Sequence, residues 1–405
     1  MLQTDDVKMT GMNNRARADA VPDGMARNAV NVQFDDSGRI ILPRVGRTRI
    51  YTGNTHSVVE RDTGVFFVED GNLKQLLGPN NAVTLKTGVG DAPLRYTKMV
   101  GRSVYFSSKL SSGEIRNGKV YPWPIACPPV QPTCASTPYG GMFAGDYQVA
   151  ITWIADGPES GTGESAIVSV PEGGGIQLTG FPTPPDYVTE VAVYVSPVNG
   201  EVPYLYGEFP ADTSMLSVDK YLSDVALETQ FMVAPKPEDV LTEHNGVIYY
   251  AKGPYVFRTE PHLFHLQSIN KFWAYDSDVQ TIVETPTALY IGTETMIYKV
   301  TDLNGEDFAH NEPLQDIGTV KGSEHYDQDG SAAYFMSQRG YIKATPEKLE
   351  ELTYEQCAIP FFKHGAVTVS EYNGLKYLIG VFQDGEQNPL ANTQYSADEL
   401  LRGTL

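Results

Sequence analysis

The chain has 405 residues and a formal charge of −20. That is length enough for two or three domains, and the wrong sign for a broad phosphate-gripping surface, which needs Lys and Arg. No apolar run approaches the roughly 18 residues of a membrane-spanning helix. The opening Met1-Leu2-Gln3-Thr4-Asp5-Asp6 has neither the basic nor the apolar region of a secretory signal.

Its 38 glycines, 27 prolines and 24 tyrosines suit many short strands joined by turns. Residues 1–28 are polar and aperiodic and read as an extended arm. The arm ends in the turn Val21-Pro22-Asp23-Gly24, with a helical turn over Met25 to Asn28. It either packs on its own domain or reaches a neighbouring subunit. Ala29 to Phe34 then alternates as a strand, Asp36-Ser37-Gly38 turns, and Arg39 to Leu42 returns.

From His56 onward, aromatic anchors recur in short apolar strands: Phe66, Tyr105, Tyr249, Tyr290, Tyr334 and Tyr377. Successive gaps are 39, 144, 41, 44 and 43 residues. Four of these fall at or beside the period of a β-propeller blade, about 40–45 residues. Leu73, Val256, Ile297 and Tyr341 stand seven positions after their anchors, as a return strand requires. The Tyr105 and Tyr377 cycles lack that return and read as weaker members. Val65 to Val68 is a continuous apolar run, which predicts a strand covered on both faces. Turns are predicted at Asp70-Gly71-Asn72 and Asn117-Gly118.

The long gap is one period plus roughly 100 residues, the size of an immunoglobulin-type sandwich. Pro122 to Pro138 reads as an extended linker. Asp146 to Ile154 alternates with period 2 around Trp153, a large aromatic suited to an inter-sheet core. Ala166 to Val170, Gly175 to Leu178, Glu190 to Ser196 and Tyr204 to Glu208 supply further strands. The expected organisation is therefore all-β, a propeller of about six blades with an inserted β-sandwich. Its parts are the arm (1–28), first propeller part (29–122), linker plus sandwich (123–237), and second propeller part and tail (238–405). Pro346 to Leu352 reads as a short helix capped by Thr345, with Pro346 at the first helical position. Ser396 to Leu401 reads as one more helical turn. The last cycle has no return strand, so a strand near Val30–Phe34 or Ile40–Leu42 is expected to complete it.

Several stretches resemble the virion proteins of tailed bacteriophages, of the tail hub, nozzle or packaged-DNA-stabilisation type. They are Gly11-Met12-Asn13-Asn14, Val21-Pro22-Asp23-Gly24, Ala29-Val30-Asn31-Val32, Asp36-Ser37-Gly38-Arg39 and Pro43-Arg44-x-Gly46. Asn245 to Tyr250, Arg258-Thr259-Glu260-Pro261, Leu289 to Glu294 and Gly318 to Gly322 resemble the same group. The alternation Tyr147-x-Val149-x-Ile151-x-Trp153 with Val191-x-Val193-Tyr194-Val195-Ser196 resembles a fibronectin type III-like module. The resemblance implies a ring-forming propeller without catalytic activity, located in the virion after assembly in the host cytoplasm. Implied partners are copies of itself, other tail or connector proteins, tail fibres, and DNA passing without sequence-specific contact. The same features leave open a tail-tip module that binds a host receptor or carbohydrate.

No catalytic motif emerges. There is no Gly-x-Ser-x-Gly elbow, His-Glu-x-x-His helix or phosphate loop. Gly173-Gly174-Gly175 precedes a strand rather than opening a helix, so it is a turn and not a nucleotide fingerprint. The carboxylates Glu159 with Glu164, Asp302 with Glu306 and Asp307, and Asp327 with Asp329 read as solvated turns. The sharper alternative for the last two groups is a Ca²⁺ site, which no twelve-residue loop pattern supports. His262 and His265 could share a face and bind a metal, but fit better as part of the Pro261–Phe272 connection. Phe264, Phe272 and Trp273 read as core or inter-subunit contacts. Cys127, Cys134 and Cys357 read as free thiols, the first two being close enough in sequence to pair. No catalytic, cofactor or metal-binding residue and no cofactor is assigned.

Overall fold

The computed structural model describes residues 11–17, 19–27, 32–34, 41–43, 48–220, 223–303, 310–327, 330–355, 357, 361–372 and 375–386. Every regular element among them is a β-strand. Five sheets are four-stranded antiparallel meanders in chain order. The first comprises Thr55–Arg61, Gly64–Glu69, Asn72–Gly78 and Asn81–Lys86. The second comprises Arg95–Tyr96, Ser103–Ser107, Ser112–Arg116 and Lys119–Tyr121. The third comprises Leu241–His244, Val247–Lys252, Tyr255–Arg258 and Phe272–Ala274. The fourth comprises Val279–Thr285, Ala288–Thr293, Ile297–Thr301 and His310–Gln315. The fifth comprises His325–Tyr326, Ala333–Ser337, Gly340–Ala344 and Leu349–Glu351. A last hairpin, Phe361–Tyr372 with Leu375–Glu386, follows.

The recurring aromatics have a common structural job. Each of the first five anchors lies in the second strand of its sheet. It pairs with a polar residue on the third strand, nine positions later: Phe66 with Gln75, Tyr105 with Glu114, Tyr249 with Arg258, Tyr290 with Lys299, and Tyr334 with Lys343. The Tyr105 cycle is thus a full member, against expectation. Its return strand carries its apolar residue at Ile115 rather than seven positions after the anchor. Tyr377 also falls in the second strand of its pair, opposite Ser370.

Sheets follow one another face to face, each interface filled by its own apolar cluster. Phe66, Leu73, Val104 and Phe106 join the first sheet to the second. Tyr105, Leu241 and Tyr250 join the second to the third. Tyr249, Val256, Ile282 and Leu289 join the third to the fourth, and Tyr290, Ile297, Phe335 and Ile342 the fourth to the fifth. Val320, Met336 and Val367 continue the series to the last hairpin. Each fully buried side chain of this size contributes roughly 1.5–3 kcal/mol. A sheet apolar on both faces has no other way to exclude water.

Turn chemistry agrees with the sequence. Asp70-Gly71, Asn117-Gly118 and Asn245-Gly246 all have positive φ at both positions, 50° and 69°, 52° and 71°, and 50° and 78°. That backbone matches the twist of hairpin strands and favours Asn or Asp before Gly.

Between the second and third sheets lie two further sheets. One orders Thr133–Met142, Gly174–Thr179 and Met215–Val218. The other orders Ala166–Val170, Gly145–Ile154, Glu190–Val195 and Tyr204–Pro210. Their inner faces share one core containing Trp153, Val149, Ile151, Ile176, Leu178 and Val193. The expected linker Pro122–Pro138 is shorter than its prolines suggested, because the chain enters a strand at Thr133. Pro138 is accommodated where the ladder shifts register between Thr137 and Met142.

The two-sheet module is tied to the meander sheets by polar bonds. His265 Nε2 donates to the Glu159 carbonyl (3.0 Å), and Trp123 Nε1 to the Phe264 carbonyl (2.8 Å). Within the module, Thr162 bridges to Gln230, in the segment that leads on to the third sheet. The turn of Glu159 and Glu164, expected to be solvated, is in part buried. Ser160 and Thr162 lie inside this junction, and the Glu159 carboxylate accepts from Thr152 and Tyr194.

Three local expectations are corrected. Pro346 to Leu352 is not a helix: Thr345 to Lys348 forms a turn, and Leu349–Glu351 pairs with Ile342 to Ala344. Thr345 Oγ1 does accept from the Lys348 amide (3.3 Å), as a helix cap would. A seven-residue helix, however, is marginal against an open sheet edge. Met25–Ala26 is a strand pairing in parallel with Gly11–Met12, not a helical turn. Val32–Phe34 and Ile41–Pro43 pair with each other, and among the described residues neither joins the last hairpin. The arm instead docks on its own chain, with Arg15 stacked 4.3 Å over Tyr354 and bonded to the Cys357 carbonyl (3.3 Å). Ser396 to Leu401 lies outside the described residues.

Candidate functional site

The first strands of successive sheets converge. The first strand of the third sheet runs beside those of the second and fourth. Where they meet, charged side chains gather that are far apart in sequence. Lys98 Nζ lies 2.8 Å from Glu284 Oε1 and 3.5 Å from Glu243 Oε2. Both carboxylates are over 90% buried, whereas the Lys98 side chain is 45% exposed. His244 Nδ1 donates to Glu284 Oε2 (3.2 Å), and its Nε2 accepts from Asn245 (3.0 Å). The Gly246 amide donates to Glu243 (2.6 Å). Two buried carboxylates are tolerated because every oxygen has a donor.

The fifth sheet enters through Tyr326. Thr242 donates to its hydroxyl (3.0 Å), which donates on to the Ile282 carbonyl (3.2 Å). Burial raises its pKa well above the ordinary phenol value, so it stays a neutral donor. The first sheet enters through Arg61, whose guanidinium bonds to the carbonyls of Glu60 (2.8 Å), Thr97 (2.9 Å) and Tyr96 (3.4 Å). Residues of the five sheets are thus linked by hydrogen bonds and ion pairs at this centre.

A second feature lies where the module rejoins the third sheet. Met232–Val233 pairs with Gln267–Ser268, placing Phe231 opposite Ile269. These two are 56% and 52% exposed. Tyr255 and Phe272, each 43% exposed, stand edge to face at 5.8 Å on the outer side of the third sheet. Exposed apolar side chains gathered at a junction mark a contact surface.

The candidates singled out in the sequence do not converge on either feature, save Phe272. His262 packs under Gly246, while His265 bonds to Glu159. Among the described residues no cluster of His, Cys, Asp or Glu could hold a metal ion. Asp302 and Asp327 are described, but Glu306, Asp307 and Asp329 are not. Phe264 packs against Tyr105 (5.1 Å) and Trp273 stacks on Tyr249 (5.7 Å), so both are core residues. All three cysteines are free. The polar centre was missed altogether, because no spacing in the sequence marks residues that only tertiary folding brings together.

No family model matches the chain, and no curated protein matches it. Among solved structures it is similar to the extracellular domain of a putative one-component system, BT4673, from B. thetaiotaomicron. That match has 10% identity and a TM-score of 0.31, and covers 82% of this chain and 38% of the other. It is also similar to Kluyveromyces lactis Hsv2, at 8% identity and a TM-score of 0.30, covering 83% and 100%. PorZ of Porphyromonas gingivalis matches at 12% identity and a TM-score of 0.23, covering 78% and 40%. The chain therefore spans about two fifths of the first and third of these.

Proposed function

We propose that this chain is a non-enzymatic structural protein of a bacteriophage tail, a symmetric ring or tip component around the DNA path. Its body is a β-propeller of about six blades, interrupted after the second by a fibronectin type III-like sandwich. The stretches that resemble tail hub and nozzle proteins support this reading, as do the face-to-face order of the sheets and their bonded centre. The observation that carries it is the apolar ledge of Phe231, Ile269, Tyr255 and Phe272, on a rigid junction, where a neighbouring copy or tail protein would cover it. The net charge of −20 lets DNA pass without adhesion.

Cryo-electron microscopy of the intact particle tests this. Copies should surround the DNA path with rotational symmetry and the ledge covered. Absence from the virion overturns the reading, and a basic path lining removes the non-adhesion clause.

A second reading, a tip module for a host receptor or carbohydrate, is favoured by Tyr139 and Phe143. These are 86% and 68% exposed at one end of the sandwich. Binding of the purified protein to host cells, lost in Tyr139→Ala with Phe143→Ala, would select it.

A further inference from the structure

The inserted module is electrostatically unlike the sheets around it. Between Lys119 and Lys236 the sequence has thirteen Asp and Glu and a single cation, Lys220, a net −12 of the whole chain's −20. Every one of the thirteen except Glu159 is exposed. Asp156 pairs with Arg116 (3.4 Å), and among the described residues no other of them forms an ion pair. Self-repulsion of this kind works against a compact fold, and one lysine does not offset it. From the same module project the exposed rings of Tyr139 and Phe143. Their loop is tied down on both sides. The Gly141 amide donates to the Asp219 carbonyl (2.8 Å), the Ala144 amide to Glu172 Oε2 (3.0 Å), and the Tyr147 hydroxyl to the Phe143 carbonyl (3.0 Å). Met142, between the two rings in sequence, is buried in the inter-sheet core. Exposed aromatics on a backbone held in this way lose little freedom when a partner covers them.

We propose that the loop of Tyr139 and Phe143 is the docking site for a basic protein. Apolar pockets of that partner take the two rings, while its Lys and Arg face Glu172, Asp219 and Asp146. These are the carboxylates at the loop. Glu172 and Asp219 belong to residues bonded to it, and Asp146 stands three positions after Phe143. Charge selects among the occupants. A second copy of this chain brings another −20, and nucleic acid or an anionic lipid surface brings like charge as well, so all three are repelled. A neutral carbohydrate stacks on aromatic rings but gains nothing from the field. A basic protein surface uses both features, the buried rings for affinity and the field for the rate of encounter. The inference rests on the contact at Tyr139 and Phe143 given above as the second reading, narrows its occupant, and does not depend on the phage assignment.

The test is selection of a random peptide library on the immobilised full chain, followed by titration of the enriched peptides in solution. Enriched sequences should combine Lys or Arg with large apolar residues. Tyr139→Ala with Phe143→Ala should weaken their binding about a hundredfold, as two anchoring aromatics require. Glu172→Gln with Asp146→Asn, which keep their acceptor oxygens, should weaken it several-fold, and raised salt should shrink that difference. Leu77→Ala, at a comparably exposed apolar residue of the first sheet, should change nothing. All five side chains are exposed, so the variants should keep the wild-type Tm. Peptides enriched without Lys or Arg, or bound equally by the double alanine variant, overturn the proposal. So does tighter binding of anionic vesicles or neutral oligosaccharides than of any peptide, or a dimer of the chain that the alanine substitutions dissolve. Absence of any enrichment overturns it too, and host-cell binding lost in the same alanine variant would then leave the second reading standing with a receptor that is not a protein.

Discussion

At the residue scale, the informative side chains are those whose burial demands a partner. Lys98 is the bridge between two buried carboxylates on different sheets. Lys98→Met should leave Glu243 and Glu284 facing each other without their cation. The expected loss is about 1–3 kcal/mol, moderated because Lys98 is itself half-open to water. Urea denaturation reads it as a lower midpoint with an unchanged slope. Gly161 shows close approach of a different kind: a Cβ there would lie 2.0 Å from the Met232 carbonyl oxygen. Backbone cannot move aside as a side-chain tip can. Gly161→Ala should therefore cost about 1–3 kcal/mol, visible in the same measurement. Neither position could be singled out in sequence. Lys98 stands in a short irregular stretch between two strands, and Gly161 is one of 38 glycines.

At the element scale, the strands were legible where local pattern and tertiary demand agree. Gly145–Ile154, Ala166–Val170 and Glu190–Val195 fall within a residue of their expected bounds, although the first and third are covered on both faces over most of their length. The failure at Pro346 to Leu352 came from a signal that is ambiguous by nature. Thr-Pro-Glu suits a helix start, and it equally suits a tight turn between strands. What decided the outcome was the free edge of Gly340–Ala344, a partner invisible to local reading. If Thr345 holds that turn through its hydroxyl, Thr345→Ala should cost about 1 kcal/mol. Amide exchange should then quicken at Leu349–Glu351 while the core of the fifth sheet stays protected. Equal protection of the edge strand in the variant would mean that Pro346 alone sets the turn.

At the scale of the whole molecule, pH should act on the junction between module and body. Burial holds the His265 imidazole below its ordinary pKa, and it donates to Glu159 as the neutral form. The unfolded chain takes up that proton near pH 6.5, so stability falls as pH drops below about 6.5. His325 shifts in the same direction, also through burial. Glu324 opposes them at lower pH, since its raised pKa lets the folded state regain its proton first. Between pH 7.5 and 5.5 the wild type should lose up to about 1 kcal/mol more than His265→Gln. The variant keeps a donor without a titrating group. Scanning calorimetry of both proteins across that range is the check, and parallel curves would remove His265 from the account.

The sequence by itself determined the all-β character, the recurring aromatic strand, the turns of Asn or Asp with Gly, and the stretch of different pattern between the second and third cycles. These are local properties. A strand's periodicity, a turn's φ and an anchor's spacing are written within ten to forty-five residues of one another. The tertiary structure alone decided that Phe66, Tyr105, Tyr249 and Tyr290 fill the space toward the following sheet. It also brought Arg61, Lys98, Glu243, Glu284 and Tyr326 to one centre and left Phe231 and Phe272 uncovered. Those outcomes depend on contacts between residues up to hundreds of positions apart. Only the packing of one sheet against the next selects which polar groups find partners and which remain without them.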